Sequence, residues 1–272
     1  MAEWHSLEAP AKLNLALVVG PLRRDGRHEL ATVMERLSLS DTISVRRARE
    51  TRVGGFADDT LVAAALAELA RHVVGAPPFE ARIEKRIPVA AGLGGGSSDA
   101  AAALRLANGL LDAPLPHATL SRLAATLGAD VPFFLEDGPQ LAIADGTTLA
   151  PLRLPRGYVV VLVLPEGAEK RSTGDVYAAF DARGGAAGYK GRRAALVDGL
   201  GRVGTATDLA SLPRNDLASS PVADELRRAG AFRADVTGAG PVVYGLFADR
   251  PEAEHAAAAF AGRGVTWVAT PA

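Results

Sequence analysis

The sequence predicts an α+β protein built as two lobes. Its 272 residues suffice for one large domain or for two modest ones. Segments with the alternation expected of strands are interspersed with alanine-rich segments of helical periodicity. With 48% hydrophobic and 22% charged residues, the composition is that of a globular chain with a sizeable core. We place the lobe boundary near residue 150, which gives an N-terminal lobe of residues 1–150 and a C-terminal lobe of residues 151–272.

The N-terminal lobe begins with strand patterns. In AKLNLALVV (11–19), leucines at every second position predict a half-buried strand in which Lys12 and Asn14 project from one face. The segment RLSLSDTISV (36–45) predicts a second strand, and 58–73 predicts a helix that starts with two acidic residues. The remaining elements predicted up to residue 164 are a strand at 79–87, helices at 97–111 and 118–127, and strands at 140–144 and 158–164.

The C-terminal lobe continues the mixed pattern. The glycine-rich segment RGGAAGYKG (183–191) is typical of a flexible loop. The elements that follow are a helix at 221–229, two strands on either side of a glycine turn within 233–247, a helix at 252–260 and a strand at 265–269.

Charge and composition exclude several classes of function. The formal net charge of −1 provides no basic field for nucleic acid or for an anionic membrane. The absence of cysteine excludes disulfides, thiolate metal sites and thiol catalysis. No signal-peptide pattern is present, and the longest apolar strings are too short to span a bilayer. We therefore expect a cytoplasmic monomer or homodimer that acts on a small molecule.

The segment IPVAAGLGGGSSDAAAAL (87–104) is the most specific functional signal. Four glycines in five positions let the backbone turn sharply and present bare N–H groups. A helix start beyond them adds partial positive charge, so the segment is suited to a phosphate group. We expect Ser97, Ser98 and Asp99 to cap this helix.

Other glycine motifs fit this segment poorly. A Walker loop requires lysine, and none occurs between Lys85 and Lys170. A dinucleotide fingerprint requires glycine at position 97, and a nucleophile elbow centred on Ser97 requires glycine at position 99. A plain glycine-rich linker before a helix remains an alternative, although so many glycines carry an entropy cost that calls for a compensating role.

The pattern P-x-x-x-G-L-G-G-G-S-S at 88–98 resembles the phosphate loop of the GHMP kinase superfamily. Further segments resemble blocks of the superfamily in the same order, namely PAKLNLAL (10–17), RRDGRHEL (23–30), LGADVPFFL (127–135), RNDL (214–217) and VTGAGPVVYGLF (236–247). The resemblance implies a lobe like domain 2 of ribosomal protein S5, followed by a ferredoxin-like lobe. Within the superfamily, the blocks are most similar to those of kinases that phosphorylate the 2-hydroxyl of 4-diphosphocytidyl-2-C-methyl-D-erythritol in the non-mevalonate isoprenoid pathway.

The resemblance also implies a catalytic pair and two cofactors, ATP and Mg²⁺. Asp130 corresponds to the carboxylate that takes the proton of the substrate hydroxyl. Lys12 corresponds to the base that orients this carboxylate and favours the developing alkoxide. Ser98 and Asp130 are candidate Mg²⁺ ligands. The residues assigned to ATP are Pro88, Val89, Ala90, Ala91, Gly92, Leu93, Gly94, Gly95, Gly96, Ser97 and Ser98.

The substrate implied by the resemblance is a cytidine diphosphate-linked polyol. Its assigned residues are Asn14, His28, Thr173, Tyr177, Gly238 and Gly240. His28 corresponds to the residue that hydrogen-bonds cytosine, and Tyr177 to an aromatic that stacks on the base. The alternatives are structural: a core aromatic at 177, a solvated strand lysine at 12 and a turn-forming acid at 130.

Two departures from the superfamily pattern leave other functions open. Arg27 stands where the closest blocks usually have tyrosine, and Thr60 stands where they tend to have asparagine. A second hypothesis is therefore another small-alcohol kinase of homoserine or mevalonate type. A third is a nucleotide-binding homologue that has lost catalysis.

Overall fold

The computed structural model describes residues 2–168 and 172–272. Its strands are β1 (His5–Leu22), β2 (His28–Arg47), β3 (Arg52–Gly54), β4 (Phe79–Glu84), β5 (Gln140–Ala144), β6 (Thr148–Pro151), β7 (Val159–Pro165), β8 (Arg233–Val236), β9 (Val243–Phe247) and β10 (Gly264–Ala269). Its α-helices are α1 (Leu61–His72), α2 (Gly95–Gly109), α3 (His117–Leu127), α4 (Thr173–Ala182), α5 (Tyr189–Leu200), α6 (Pro221–Arg228) and α7 (Arg250–Ala259). Short 3₁₀ helices lie at Pro132–Leu135 and Ala206–Ser211.

The chain forms two compact units whose segments alternate along the sequence. The first unit contains residues 2–11, Leu39–Val89 and Gly94–Asp137. The second contains Lys12–Ser38, Ala90–Leu93 and the described part of 138–272. Strands β1 and β2 each contribute residues to both units. The lobe boundary near residue 150 stays a prediction.

In the first unit, three helices accompany a small sheet. The C-terminal part of β2 pairs antiparallel with β4, and β3 pairs parallel with β4. Helix α1 packs on α2. The alanines of α2 are buried from Ala100 to Ala103, and their small side chains allow this close approach. Helix α1 begins at Leu61, three residues after its predicted start, so the two acidic residues precede the helix. The Asp59 carboxylate still accepts hydrogen bonds from the N–H groups of Val62 and Ala63, each 3.1 Å long.

In the second unit, a four-stranded antiparallel sheet has the order β10-β7-β9-β8. Alternate residues of β7, including Val161 and Val163, join a core with Leu226 of α6 and Phe260. Val160 and Leu162 on the other face of β7 are also buried, which explains the unbroken apolar run in this strand. The N-terminal part of β2 pairs with β5, and β5 pairs with β6.

One predicted loop differs from the structure. Part of 183–191 forms turns, but α5 begins at Tyr189, inside the predicted loop. Leu196 is the buried residue of α5, so the sequence carries little helical periodicity to reveal the helix. Within 2–168 and 172–272, no helix is both long and apolar enough to cross a membrane.

Candidate active site

Lys12 and Asn14 lie side by side on β1, and both are buried, with 4% and 5% of their surface exposed. The Lys12 ammonium donates a 2.5 Å hydrogen bond from Nζ to Asn14 Oδ1. This contact confirms that the two side chains share a face of the strand. It also contradicts the alternative of a solvated strand lysine, because a charged side chain is rarely buried without partners.

Two threonine hydroxyls hold Asn14 in place. The Asn14 side chain donates from Nδ2 to Thr32 Oγ1 over 2.8 Å, and Thr32 Oγ1 donates to the carbonyl of Ala16 over 2.7 Å. The Asn14 backbone N–H donates to Thr237 Oγ1 over 3.2 Å. Sequence reasoning did not single out either threonine, because each depends on a partner far away in the chain.

Part of the glycine-rich loop lies against the Lys12 strand in the second unit. The backbone N–H of Lys12 donates to the Leu93 carbonyl over 2.9 Å, and the Thr237 hydroxyl donates to the Gly92 carbonyl over 3.3 Å. Gly92 has φ +80°, and a Cβ atom there would overlap the carbonyl oxygen of Thr237. Glycine is therefore required at 92 by both conformation and space.

The rest of the loop opens α2 in the first unit. Gly94 has φ +69° and serves as the N-cap, so the helix begins at Gly95. The expectation that Ser97, Ser98 and Asp99 cap the helix is wrong, because the left-handed glycine lets the helix start earlier and places these residues inside it. Ser98 is 1% exposed, and its hydroxyl has no hydrogen-bond partner among the described residues.

A lysine close to the loop was missed by the sequence analysis. The Lys85 ammonium bonds to the carboxylates of Asp41 and Asp99, with 2.7 Å separating Nζ from Asp99 Oδ2. Asp41 Oδ1 also accepts the backbone N–H of Ile87 over 2.8 Å. Lys85 directly follows β4 and Asp99 lies in the second turn of α2, so this ion pair joins the two ends of the loop.

Burial and neighbouring charges shift the pKa values of Asp99 and Lys85. Burial raises the pKa of the Asp99 carboxyl to about 7; the Lys85 ammonium opposes this shift, and the neighbouring Asp41 carboxylate adds to it. Burial alone would lower the pKa of Lys85, but its bonds to the two carboxylates outweigh burial and raise it. Lys85 is therefore a permanent cation next to the loop at neutral pH.

His28 is held on several sides in the second unit. Its Nδ1 lies 2.8 Å from the carbonyl oxygen of Gly20, so Nδ1 is the protonated donor. Its Nε2 lies 3.3 Å from Asp181 Oδ2. The ring centroids of His28 and Tyr177 are 4.9 Å apart, and Phe180 meets His28 edge-on. The structure thus brings together two residues that the sequence assigns to the cytosine.

The glycine motif near the C-terminus lies beside Lys12 and Asn14. A Cβ atom on Gly238 would come within 3.3 Å of Asn14 Oδ1 and 3.5 Å of Lys12 Nζ. Asn215 fixes this motif by donating from Nδ2 to the carbonyl of Gly238 over 2.7 Å. Asn215 lies in the RNDL block that the sequence analysis noted, but its hydrogen bond to Gly238 could not be predicted from the sequence.

The other assigned residues are less closely grouped. Thr173 is exposed and is the first residue of α4, and Gly240 has φ +81°. Asp130 is half-buried in the turn before the 3₁₀ helix Pro132–Leu135. Asp130 belongs to the first unit and Lys12 to the second, so their action as a pair stays a prediction.

Both departures from the superfamily pattern have structural counterparts. The Arg27 guanidinium forms a 2.7 Å ion pair with Asp145 and is half exposed. Thr60 precedes α1 without bonding to its backbone N–H groups through its side chain. In the described parts of the chain, no three His, Cys, Asp or Glu side chains are grouped closely enough to bind a metal ion by themselves.

Comparison with known proteins identifies the family. Residues 60–138 match the GHMP kinases N terminal domain, and residues 216–266 match the GHMP kinases C terminal model. A 4-diphosphocytidyl-2-C-methyl-D-erythritol kinase from Anaeromyxobacter dehalogenans is 38% identical over 94% of this chain and 84% of its own length. A kinase of the same name from Nocardia farcinica is 40% identical over 95% of this chain and 90% of its own length. The chain belongs to the GHMP kinase family.

A solved structure supports the same assignment for this GHMP kinase. The crystal structure of a 4-(cytidine 5'-diphospho)-2C-methyl-D-erythritol kinase matches it with a TM-score of 0.78 and 31% identity over 98% of each chain. The predicted two-lobed α+β GHMP fold is confirmed. The chain is a phosphotransferase that uses ATP to phosphorylate a small molecule.

Proposed function

We propose that this GHMP kinase transfers the γ-phosphoryl group of ATP to the 2-hydroxyl of 4-diphosphocytidyl-2-C-methyl-D-erythritol. The observation that carries the proposal is near-full-length similarity, at 38–40% identity, to kinases bearing the name of this substrate. The contact between His28 and Tyr177 gives it physical support. An aromatic ring and an imidazole side by side suit a flat heterocycle such as cytosine.

Lys12 and Asp130 have the chemistry required for the transfer. In the proposed mechanism, Asp130 accepts the proton of the substrate hydroxyl, and the Lys12 ammonium favours the developing alkoxide. Lys12 suits this role because it is buried and its Nζ is oriented by Asn14. A preorganised charge in a dry environment stabilises a transition state without the cost of reorganising water.

The loop residues 88–98 are proposed to bind the phosphates of ATP. Left-handed Gly92 and Gly94 turn the backbone towards the start of α2, where free N–H groups and the helix dipole favour an anion. Gly238 and Gly240 are proposed to approach the substrate diphosphate, and Thr173 to contact the cytidylyl part.

Ser98 fits a role in binding Mg²⁺. Its hydroxyl is buried at the start of α2 without a partner among the described residues, which suits a ligand supplied from outside the chain. Protein sites for Mg²⁺ in kinases commonly provide one or two ligands, while water and phosphate oxygens supply the rest. Ser98 and Asp130 would hold the ion, which when bound neutralises charge on the phosphoryl group.

The test uses purified protein, ATP and a panel of acceptors. We expect turnover of the cytidylyl substrate and none of homoserine or mevalonate. Lys12→Ala and Asp130→Asn should each lower kcat by at least about 100-fold, because each removes a group acting in the transition state. Lys190→Ala is the matched control, because Lys190 is an exposed lysine on α5.

Other outcomes separate the rival hypotheses. Turnover of homoserine or mevalonate instead of the cytidylyl substrate would establish the second hypothesis. Binding of ATP without turnover of any acceptor would establish a catalytically silent homologue. The cytoplasmic location, the lobe boundary near residue 150 and the monomeric or homodimeric state stay predictions from the sequence.

A further inference from the structure

Thr32 occupies a position in β2 that no motif of the sequence marks. It is 4% exposed, and its hydroxyl has two hydrogen-bond partners on the neighbouring strand β1. It donates to the carbonyl oxygen of Ala16 over 2.7 Å and receives the Asn14 side-chain amide over 2.8 Å. A threonine hydroxyl has one hydrogen, so donation to Ala16 leaves only an acceptor for Asn14.

This constraint determines which way the Asn14 amide points. The NH₂ group must face Thr32, because only a donor can bond to the remaining lone pair of the hydroxyl. The carbonyl oxygen Oδ1 then faces the opposite side, where it accepts the Lys12 ammonium at 2.5 Å. A flipped amide would set its NH₂ group against the ammonium, so that two donors would face each other.

We propose that Thr32 is a positioning residue for phosphoryl transfer, acting through Asn14 on the Lys12 ammonium. The proposal rests on the proposed catalytic role of Lys12. The relay runs from the Ala16 carbonyl through the Thr32 hydroxyl and the Asn14 amide to Lys12 Nζ. All four residues are buried, so water is poorly placed to replace a lost partner.

The variants Thr32→Val and Thr32→Ser provide the direct test. Valine preserves the shape of the side chain but removes the hydroxyl. The Asn14 amide then loses the hydrogen bond that fixes its orientation, and the Lys12 ammonium is positioned less well. We expect T32V to lower kcat by about ten-fold or more, since small misplacements of a catalytic group cost up to about 100-fold, while KM for ATP changes less than about two-fold. T32S keeps the hydroxyl and should retain kcat within about three-fold of the wild type.

A double-mutant cycle separates positioning from a merely structural role. In an Asn14→Ala background the relay is already broken, so adding T32V should lower kcat by less than about two-fold. An equal loss in both backgrounds, or wild-type kcat in T32V, would overturn the proposal. Thr126→Val is the control, because the Thr126 hydroxyl donates to the Leu123 carbonyl within α3 of the first unit and takes no part in the relay.

The cycle also distinguishes this proposal from the substrate assignment. It is run with whichever acceptor the panel identifies, so failure of the cytidylyl substrate alone leaves the role of Thr32 measurable. Absence of turnover with every acceptor would overturn both proposals. If T32V does not give a cooperative unfolding transition, Thr32→Ala takes its place in the same cycle, with the same outcomes.

Discussion

At the scale of single residues, Gly92 is the most constrained position of the loop. It combines φ +80° with a location where a Cβ atom would overlap the Thr237 carbonyl and come 3.1 Å from that of Gly240. A left-handed conformation costs a non-glycine residue roughly 1–2 kcal/mol, and overpacking adds roughly 1–3 kcal/mol. The two costs act together at this position.

Gly92→Ala should therefore lower the free energy of unfolding by about 2–5 kcal/mol and weaken ATP binding. Urea denaturation and titration with an ATP analogue measure the two effects. Gly191→Ala is the matched control, because Gly191 lies within α5 with nothing near its Cβ position. That change should raise the free energy of unfolding by up to about 1 kcal/mol, since alanine favours helix. Equal stability of G92A and the wild type would contradict the close contact between position 92 and the Thr237 carbonyl.

Glu35 supplies a pH dependence at the same scale. It is 0% exposed, and burial raises its pKa to about 7 from an ordinary value of 4.5, although nearby Arg36 and Arg156 oppose the shift. The folded state therefore binds the Glu35 proton more tightly than the unfolded state. Its contribution to stability is complete below about pH 4.5 and is lost as the pH rises through about 7.

The variant Glu35→Gln removes this titration. Between pH 5 and pH 8, we expect the free energy of unfolding of the wild type to fall relative to that of E35Q, with a slope of at most about 1.4 kcal/mol per pH unit. Urea denaturation across this pH range measures the difference. Glu254→Gln, an exposed change on α7, is the control. A difference between wild type and E35Q that does not vary with pH would rule out titration of Glu35.

At the scale of elements, the loop is closed by the ion pair that joins the end of β4 to the second turn of α2. Removing the Lys85 ammonium would leave the carboxylates of Asp41 and Asp99 buried without their cation. Lys85→Met should lower the free energy of unfolding by about 3 kcal/mol at pH 8, where both acids are ionised in the unfolded chain. K85M should also raise KM for ATP, because the ion pair no longer holds the two ends of the loop together.

Thermal or urea unfolding and steady-state kinetics measure these effects. Arg86→Met is the matched control, since Arg86 is the adjacent cation and its side chain is exposed. Asp99→Asn should cost less than K85M, because an amide oxygen still accepts the Lys85 hydrogen bond. Loss of stability in R86M as large as in K85M would show that the ion pair is not responsible.

The elements also show what the sequence could and could not predict. Strands β7 and β10 and helices α3 and α7 lie close to their predicted bounds, because each is marked by an apolar run or by a periodic pattern of apolar residues. Helix α5 was missed because it buries little apolar surface, and the start of α2 was misplaced because a left-handed glycine replaced the expected side-chain cap. The local sequence pattern therefore predicts an element well where apolar residues mark it and poorly where backbone conformation determines its bounds.

At the scale of the whole molecule, the two units are made of interleaved segments, which no composition change in the sequence reveals. The same limit applies to the site. Lys12, His28 and the glycine loop could be proposed as site residues from the sequence because they lie in recognisable motifs. Thr32 and the ion pairs of Lys85 lie outside such motifs, and Thr237 lies inside one without being singled out. A hydroxyl or an ion pair acquires its role only from partners brought near by folding.

The contacts of Thr237 also bear on the order of events during synthesis. The Thr237 hydroxyl bonds to Asn14, which lies 223 positions earlier in the chain, and to Gly92, which lies 145 positions earlier. Because a ribosome synthesises the chain from its N-terminus, Asn14 and Gly92 are made long before Thr237. The glycine-rich loop can thus gain its contact with Thr237 only after the chain has been synthesised to position 237 and that segment has left the ribosome. A nascent chain that stalls earlier would expose the glycine segment without the Thr237 hydroxyl that bonds to Gly92.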